Sequence, residues 1–200
     1  MRQEQRWIVP GNFLCREHTI VIWSPIEIKR MSHGGKAMAR KVFYSFHFDG
    51  DHWRASQVRQ MGALEGNAEL SDNDWETVKR GGDAAIKRWI DGQMSGRSCL
   101  VLLVGSETAG RPWIEYEIKK AWELKKGIVG IRIHKLLNRH AQPSYSGRDP
   151  FSGFTVGTTP LPSIVTLYDP PGIDSRAAYK NISDNIGQLV ENAIRVRDSY

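Results

Sequence analysis

From residue 41 onward, the apolar positions switch between two spacings, and the switches mark out elements. "KVFYSFHF" (41–48) is β-branched and aromatic and predicts a strand, and "DHWRASQVRQM" (51–61) predicts a helix. Residues 62–82 are mostly loop, with a short strand near 68–70. "DAAIKRWIDGQM" (83–94) sets Ala85, Ile86, Trp89 and Ile90 at helical spacing. "SCLVLLVG" (98–105) is an unbroken apolar run, as a central parallel strand covered on both faces requires. A helix over 112–126 and a strand, "GIVGIRIH" (127–134), follow. Residues 138–162 form a long stretch rich in Gly, Pro, Ser and Thr, a length that signals function or disorder. "SIVTLYD" (163–169) predicts a last strand. A helix over 174–197 gathers Ile182, Ile186, Leu189, Val190 and Ala193 on one side.

This alternation predicts an α/β fold, a flavodoxin-like parallel sheet of about five strands with helices on both faces. Residues 1–40 lack sustained periodicity. "TIVIWSPIEI" there has the composition of a short strand, and "MSHGGKAMARK" after it is linker-like. Residues 1–40 are therefore read as an N-terminal arm, disordered or the product of a mis-called start, and 41–200 as the domain. No internal repeat is visible.

The helix at 112–126 carries the sharpest local signal. Pro112 suits its first position, since the missing N–H is not needed there. At roughly 100° per residue, Ile114, Ile118, Ala121 and Trp122 share one side, and Trp113 and Leu124 extend it. Glu123 lies opposite and Glu115 at the edge, but Glu117 falls inside the stripe. A carboxylate on an apolar face is costly unless it is paired or faces a cavity. An ion pair with Arg111 or a neighbouring element is one way out, and a ligand cavity is the other. In open parallel sheets, ligands bind beyond the carboxyl ends of the strands. Here those ends carry Ser45, Phe46, His47, Phe48 and Asp49, then Gly105 to Thr108, then His134 and Asp169. The Glu117 helix starts at the same edge.

Composition narrows the chemistry. Apolar content of 40% and charged content of 25% are ordinary for a globular domain, and no apolar run reaches the length of a membrane span. The net charge of +6 is concentrated at the start: residues 1–40 hold seven Lys/Arg against three Asp/Glu, leaving 21 against 19 for the rest. No basic stripe with interleaved aromatics points to nucleic acid. The two cysteines, Cys15 and Cys99, have no metal-ligand spacing, and without a signal-peptide pattern the expected compartment is the cytoplasm. Neither GxGxxG nor GxxxxGK[ST] occurs, and no GxSxG elbow is present. A phosphorylated receiver would carry an aspartate where Gly105 stands. Asp49 and Asp51 as a metal pair, and His47 with His134 as a proton-transfer pair, are weaker candidates than solvated turn acids and strand-end histidines. No metal is expected.

Taken together, "KVFYSFHFDGDHWRASQVR", "AAIKRWIDGQMSGRSCLVLLVGSETAGRPWIEYEIKKAWELKKGIVGIRIH" and "DPFSGF" resemble the TIR-like domain of the Thoeris ThsB family over roughly 41–197. The resemblance implies a flavodoxin-like TIR fold and NAD+ as substrate, with no separate cofactor. It implies a cyclic ADP-ribose isomer made during anti-phage defence. It also implies self-association on activation and a ThsA-like effector reached through a diffusible nucleotide. TIR NADases carry a Trp followed four positions later by a catalytic Glu; here these are Trp113 and Glu117. Phe46 and Trp113 are then candidates for stacking on rings, and Ser45, His47, Thr108 and Arg111 for holding ribose or phosphates, with Asp49 and Gly105 beside them. Two features depart from relatives: the usual BB-loop sequence is missing after the first helix, and "RDPF" replaces Asn-Pro-Phe. A non-catalytic TIR interaction module or a nucleotide-sensing module is the alternative.

Overall fold

A computed structural model describes residues 26–29, 39–62 and 80–200. The strand expected near 68–70 lies outside them. In chain order the elements are β1 (Ile26–Lys29), β2 (Ala39–Phe46), α1 (Phe48–Gly62), α2 (Gly82–Met94), β3 (Cys99–Val104), α3 (Pro112–Glu123), β4 (Gly127–Arg132), β5 (Thr155–Val156), β6 (Thr159–Pro160), β7 (Thr166–Tyr168) and α4 (Ser175–Asp198). The main sheet has the order β1-β2-β3-β4-β7. Its last four strands are parallel, in an α/β arrangement of the flavodoxin-like TIR type. A flavodoxin-like order puts the second parallel strand at the free edge of the first. Among the described residues that place is held by β1, which pairs antiparallel with β2 in the register Ile26↔Val42. β1 comes from the segment read as an arm, and a parallel sheet with one antiparallel edge strand is a common solution.

β3 explains the layering. All six of its residues are buried, and their alternation divides them between two apolar clusters. Leu100, Leu102 and Val104 pack with Ile86, Ile90 and Met94 of α2 and with Ile114, Ile118, Ala121 and Trp122 of α3. Cys99, Val101 and Leu103 pack with Ala55 and Val58 of α1 and with Ala178, Ile182, Val190 and Ala193 of α4. β2 divides in the same way, with Phe43 on the first side and Val42, Tyr44 and Phe46 on the second.

The stretch 138–162 is ordered by its own apolar residues. Phe151, Phe154, Val156 and Leu161 are buried in the α2/α3 layer. β5 and β6 pair as a two-stranded ribbon. Asp149 Oδ1 accepts the Phe151 N–H at 2.8 Å, which turns "DPFSGF" inward. Phe151 lies over Gly130 of β4, where an added Cβ would come within 2.9 Å of its ring. The glycine therefore makes room for the aromatic. The strand expected over 163–169 is shortened to Thr166–Tyr168, because a 3₁₀ turn occupies Leu161–Ser163.

α3 stops at Glu123 rather than at 126 because the backbone reverses at Lys125, which has φ of 55°. The Lys126 N–H bonds to Ala121 O at 2.9 Å and the Lys125 N–H to Trp122 O at 3.0 Å, a Schellman pattern. Leu124, expected on the apolar stripe, is the C-cap and is exposed.

Candidate active site

The site grows from two elements that meet at the carboxyl end of the sheet. β2 turns Ser45 toward the α3 layer, and α3 turns Glu117 toward β2. Both side chains are fully buried, and the Ser45 hydroxyl donates to Glu117 Oε2. Glu117 Oε1 has no hydrogen-bond partner. The ion pair considered for Glu117 is not formed, since Arg111 instead bonds to Glu107, with Nη2 to Oε2 at 3.1 Å and Nε to the carbonyl at 3.1 Å. Burial pushes the Glu117 carboxyl up to about 8, and the Ser45 hydroxyl opposes that rise only in part. As found, the group is mostly neutral at pH 7. Among the described residues, its charged form has no counter-ion.

Of the other candidates, Thr108 is buried and its Oγ1 accepts the Gly105 N–H at 2.9 Å, which closes the turn after β3. His47 is 2% exposed, and its Nδ1 lies 3.9 Å from Glu107 Oε2. Trp113 packs in the same layer as Glu117, edge-on to Tyr116. Phe46 belongs to the opposite layer, away from Glu117. Asp49 is exposed in the first turn of α1. Ser45, Glu117 and Trp113 therefore share one layer of the edge, and His47, Thr108, Gly105, Glu107 and Arg111 form a polar rim at the strand ends.

Gly105 is hemmed in from two sides. A Cβ there would lie 1.9 Å from Asp51 Oδ2, and a Cβ on Gly147 would lie 2.0 Å from the Gly105 carbonyl oxygen. The glycine is required by close approach, and the stretch around 147 covers it. Arg132 ties this cover down by donating to Ser146 Oγ and the Gly147 carbonyl.

The sequence did not disclose a second buried carboxylate, Asp51, which is 1% exposed. Arg54, 4% exposed, lies 3.4 Å from Asp51 Oδ1 and also donates to the carbonyls of Gly50, Leu136 and Gln142. Burial raises the Asp51 carboxyl to about 6, with Arg54 opposing and Glu107 adding to the rise. A helical wheel on α1 would have found it, because Asp51 and Arg54 continue the stripe of Ala55 and Val58 at three- and four-residue steps. Asp51 thus faces Arg54 while Asp49 faces solvent, so the two do not form the metal pair considered above. Among the described residues, no group of three or more His, Cys, Asp or Glu is placed to hold a metal ion. No helix among them is long and apolar enough to cross a membrane.

Comparison with known proteins agrees with the resemblance. Residues 43–138 match the model of the family described as Thoeris protein ThsB, TIR-like domain. This span runs from β2 through β4 and includes Ser45 and Glu117. Over 124 residues the chain is 33% identical to a protein of Bacillus cereus (strain MSX-D12) named "Putative cyclic ADP-D-ribose synthase ThsB1". The alignment covers 57% of this chain and 62% of that protein, so the chain spans about three fifths of the relative's length.

Proposed function

We propose that the domain cleaves the nicotinamide–ribose bond of NAD+ and joins the ribosyl carbon to another atom of the same molecule, giving a cyclic ADP-ribose-type signal. One observation carries this: Glu117, fully buried at the carboxyl end of a parallel sheet, is bound only by a neutral hydroxyl and keeps Oε1 open. The C–N bond breaks with its electron pair going to nicotinamide. Nicotinamide leaves as a neutral molecule and needs no general acid. The ribose becomes oxocarbenium-like, and an ionised Glu117 beside it stabilises that charge. Ser45 holds Oε2 and leaves Oε1 to orient a ribose hydroxyl or to face the developing cation. The ribosyl carbon is then attacked by water, or by a nitrogen or hydroxyl of the same nucleotide. An attacking hydroxyl or water gives up its proton to the ionised Glu117 carboxylate. The closed surroundings favour the internal nucleophile over water.

The full burial of Glu117 also means that the site must open before substrate reaches it. This fits activation by self-association or an infection-derived trigger, with the diffusible product acting on a ThsA-like effector. It equally gives the second reading, nucleotide sensing without turnover, its observational support. The deciding experiment is product analysis of NAD+ incubated with extracts of phage-infected cells expressing wild type, Glu117→Gln or Glu123→Gln. Wild type and Glu123→Gln are expected to release nicotinamide and a cyclic product, with Glu117→Gln down by about 100-fold or more. Binding of NAD+ without release of nicotinamide selects the sensing reading. Equal turnover by wild type and Glu117→Gln removes Glu117 from the chemistry.

A further inference from the structure

The Ser45–Glu117 pair lies beneath the turn that joins β3 to α3. Ser45 is level with Leu102 in the β2–β3 register, so Gly105 stands three residues nearer the carboxyl edge, roughly 10 Å. α3 starts at Pro112, five residues or roughly 8 Å before Glu117. Residues 105–111 therefore roof the end of the β2–α3 seam that holds the pair. That roof is gripped from two sides. A Cβ on Gly105 would meet the Asp51 carboxylate at 1.9 Å, and a Cβ on Gly147 would meet the Gly105 carbonyl oxygen at 2.0 Å. The stretch bearing Gly147 is a strap with firm ends and a weakly held middle. At one end the buried Arg54 guanidinium donates to the Gln142 carbonyl at 3.0 Å, and the Ser144 N–H donates to the His134 carbonyl at 2.8 Å. At the other end Phe151 is fully buried. From Tyr145 to Arg148 only Gly147 is buried, and Tyr145 is 90% exposed, so apolar packing does not fasten this part. Arg132 fastens it, by donating to Ser146 Oγ at 2.6 Å and to the Gly147 carbonyl. A segment held by exposed hydrogen bonds rather than by apolar burial belongs to the low-stability end of a structure.

We propose that residues 143–149 are a latch and the 105–111 turn is the gate it holds. Release of Arg132 lifts Gly147 from Gly105, and the freed turn opens the way from the carboxyl edge to Ser45 and Glu117. The inference rests on the NAD+ reading for what then enters, not for the movement itself. Gly105 cannot retreat from the strap while Asp51 stands at its other side, so the strap is the part that moves. Both contacting residues are glycines, so backbone meets backbone and the latch closes without a side chain to displace. The full burial of Glu117 is then a property of the latched state.

The test reads access to position 45 without NAD+. In a chain carrying Cys15→Ser and Ser45→Cys, two thiols remain: the introduced one beneath the gate, and Cys99, fully buried at the amino end of β3. Their rates of reaction with methyl methanethiosulfonate are followed by peptide mass spectrometry. Gly147→Ala is the wedge. Its backbone is outside the left-handed region, so the added methyl acts through its contact with Gly105. Arg132→Met cuts the tether. Gly153→Ala, with nothing within 4 Å of the new methyl, is the control. The wedge and the cut tether are each expected to speed labelling at position 45 by about tenfold or more, with Cys99 unchanged and Gly153→Ala silent. Equal labelling at position 45 in all of them, or a rise at Cys99 in step with it, overturns the inference. Hydrogen exchange in chains that keep Ser45 decides the matter if Ser45→Cys folds poorly. Faster exchange over 105–116 in the wedge and tether variants, with 99–104 unchanged, supports the latch, and no change overturns it. Because no NAD+ is present, a negative result leaves Glu117-dependent turnover standing. Absence of turnover in the extracts strikes the NAD+ reading and leaves the latch in place.

Discussion

Glu117 and Asp51 sit at the same end of the sheet, on helices that cover its opposite faces, and are 0% and 1% exposed. Their partners differ. Asp51 has a buried guanidinium 3.4 Å away, and that guanidinium is itself held by three carbonyls, two of them in the stretch after β4. Each carboxyl keeps one oxygen without a hydrogen-bond partner, Asp51 Oδ2 and Glu117 Oε1, but the other oxygen of Glu117 meets only a hydroxyl. Both carboxyls are pushed up by burial, Asp51 to about 6 against the pull of Arg54, and Glu117 to about 8 with only Ser45 opposing. Burial alone therefore does not tell the two acids apart. Among the described residues, the presence or absence of an internal counter-charge does. The Asp51–Arg54 pair closes its own charge balance and pins α1 to residues 136 and 142. The Ser45–Glu117 pair leaves its balance open.

The largest effect is expected from breaking the closed pair on one side only. Arg54→Met leaves Asp51 buried without a cation and frees three carbonyls, at a cost of about 3–5 kcal/mol. Asp51→Asn keeps Arg54 on its carbonyls and should cost about 1 kcal/mol. The double variant should recover part of the loss from Arg54→Met. Urea unfolding of all three with wild type checks this. If Arg54→Met is no worse than Asp51→Asn, the pair is not the closed unit described here.

The open pair makes a different prediction, in pH rather than in mutational cost. A carboxyl whose folded-state value is raised from the ordinary 4.5 to about 8 holds a proton in the fold that the unfolded chain releases. Its stabilising effect is complete below about pH 4.5, declines as pH rises to about 8, and is constant above. Asp51 gives the same sign over a narrower window that ends near pH 6. Between pH 6 and 8 the decline thus comes from Glu117, on the order of a few kcal/mol. Glu117→Gln keeps an acceptor for Ser45 and carries no titrating proton. It should lose the decline and be more stable than wild type at pH 8.5. A decline of equal size in both proteins between pH 6 and 8 would assign it to another group.

The same comparison marks what the sequence disclosed. Period and run length sufficed for the layers, because β3 is apolar throughout and α3 has one clean stripe. Glu117 was legible as a break in that stripe. Asp51 was not, because it stands at the very start of the helix expected over 51–61, where an aspartate reads as a solvated loop acid. The long Gly- and Pro-rich interval hid its order for a related reason. Its anchors, Phe151, Phe154, Val156 and Leu161, follow no regular period, so only tertiary burial reveals them. Pairings between distant elements, such as Ser45 with Glu117 and Arg54 with Leu136, depend on how the strands and loops are brought together, and no local pattern encodes them.

The smallest expected effect separates the stability of α3 from its chemistry. Lys125 occupies the left-handed position that ends the helix, at φ of 55°, where a side chain is strained and glycine is not. The two hydrogen bonds that define this end, from Lys126 to Ala121 and from Lys125 to Trp122, are backbone to backbone and survive substitution. The Lys125 side chain is exposed. Its loss removes at most a few tenths of a kcal/mol of favourable interaction with the carboxyl end of the helix. Lys125→Gly should therefore stabilise the protein by about 0.5–1 kcal/mol, a rise in Tm of roughly 1–4 °C. NAD+ turnover in extracts should be unchanged, since position 125 is more than two turns from Glu117. Thermal melts and turnover measured on the same preparation check both halves. A firmer α3 with normal turnover would show that loss of activity in Glu117→Gln reflects the missing carboxylate rather than a weakened helix. A firmer α3 with reduced turnover would instead show that the helix must yield for the buried site to open.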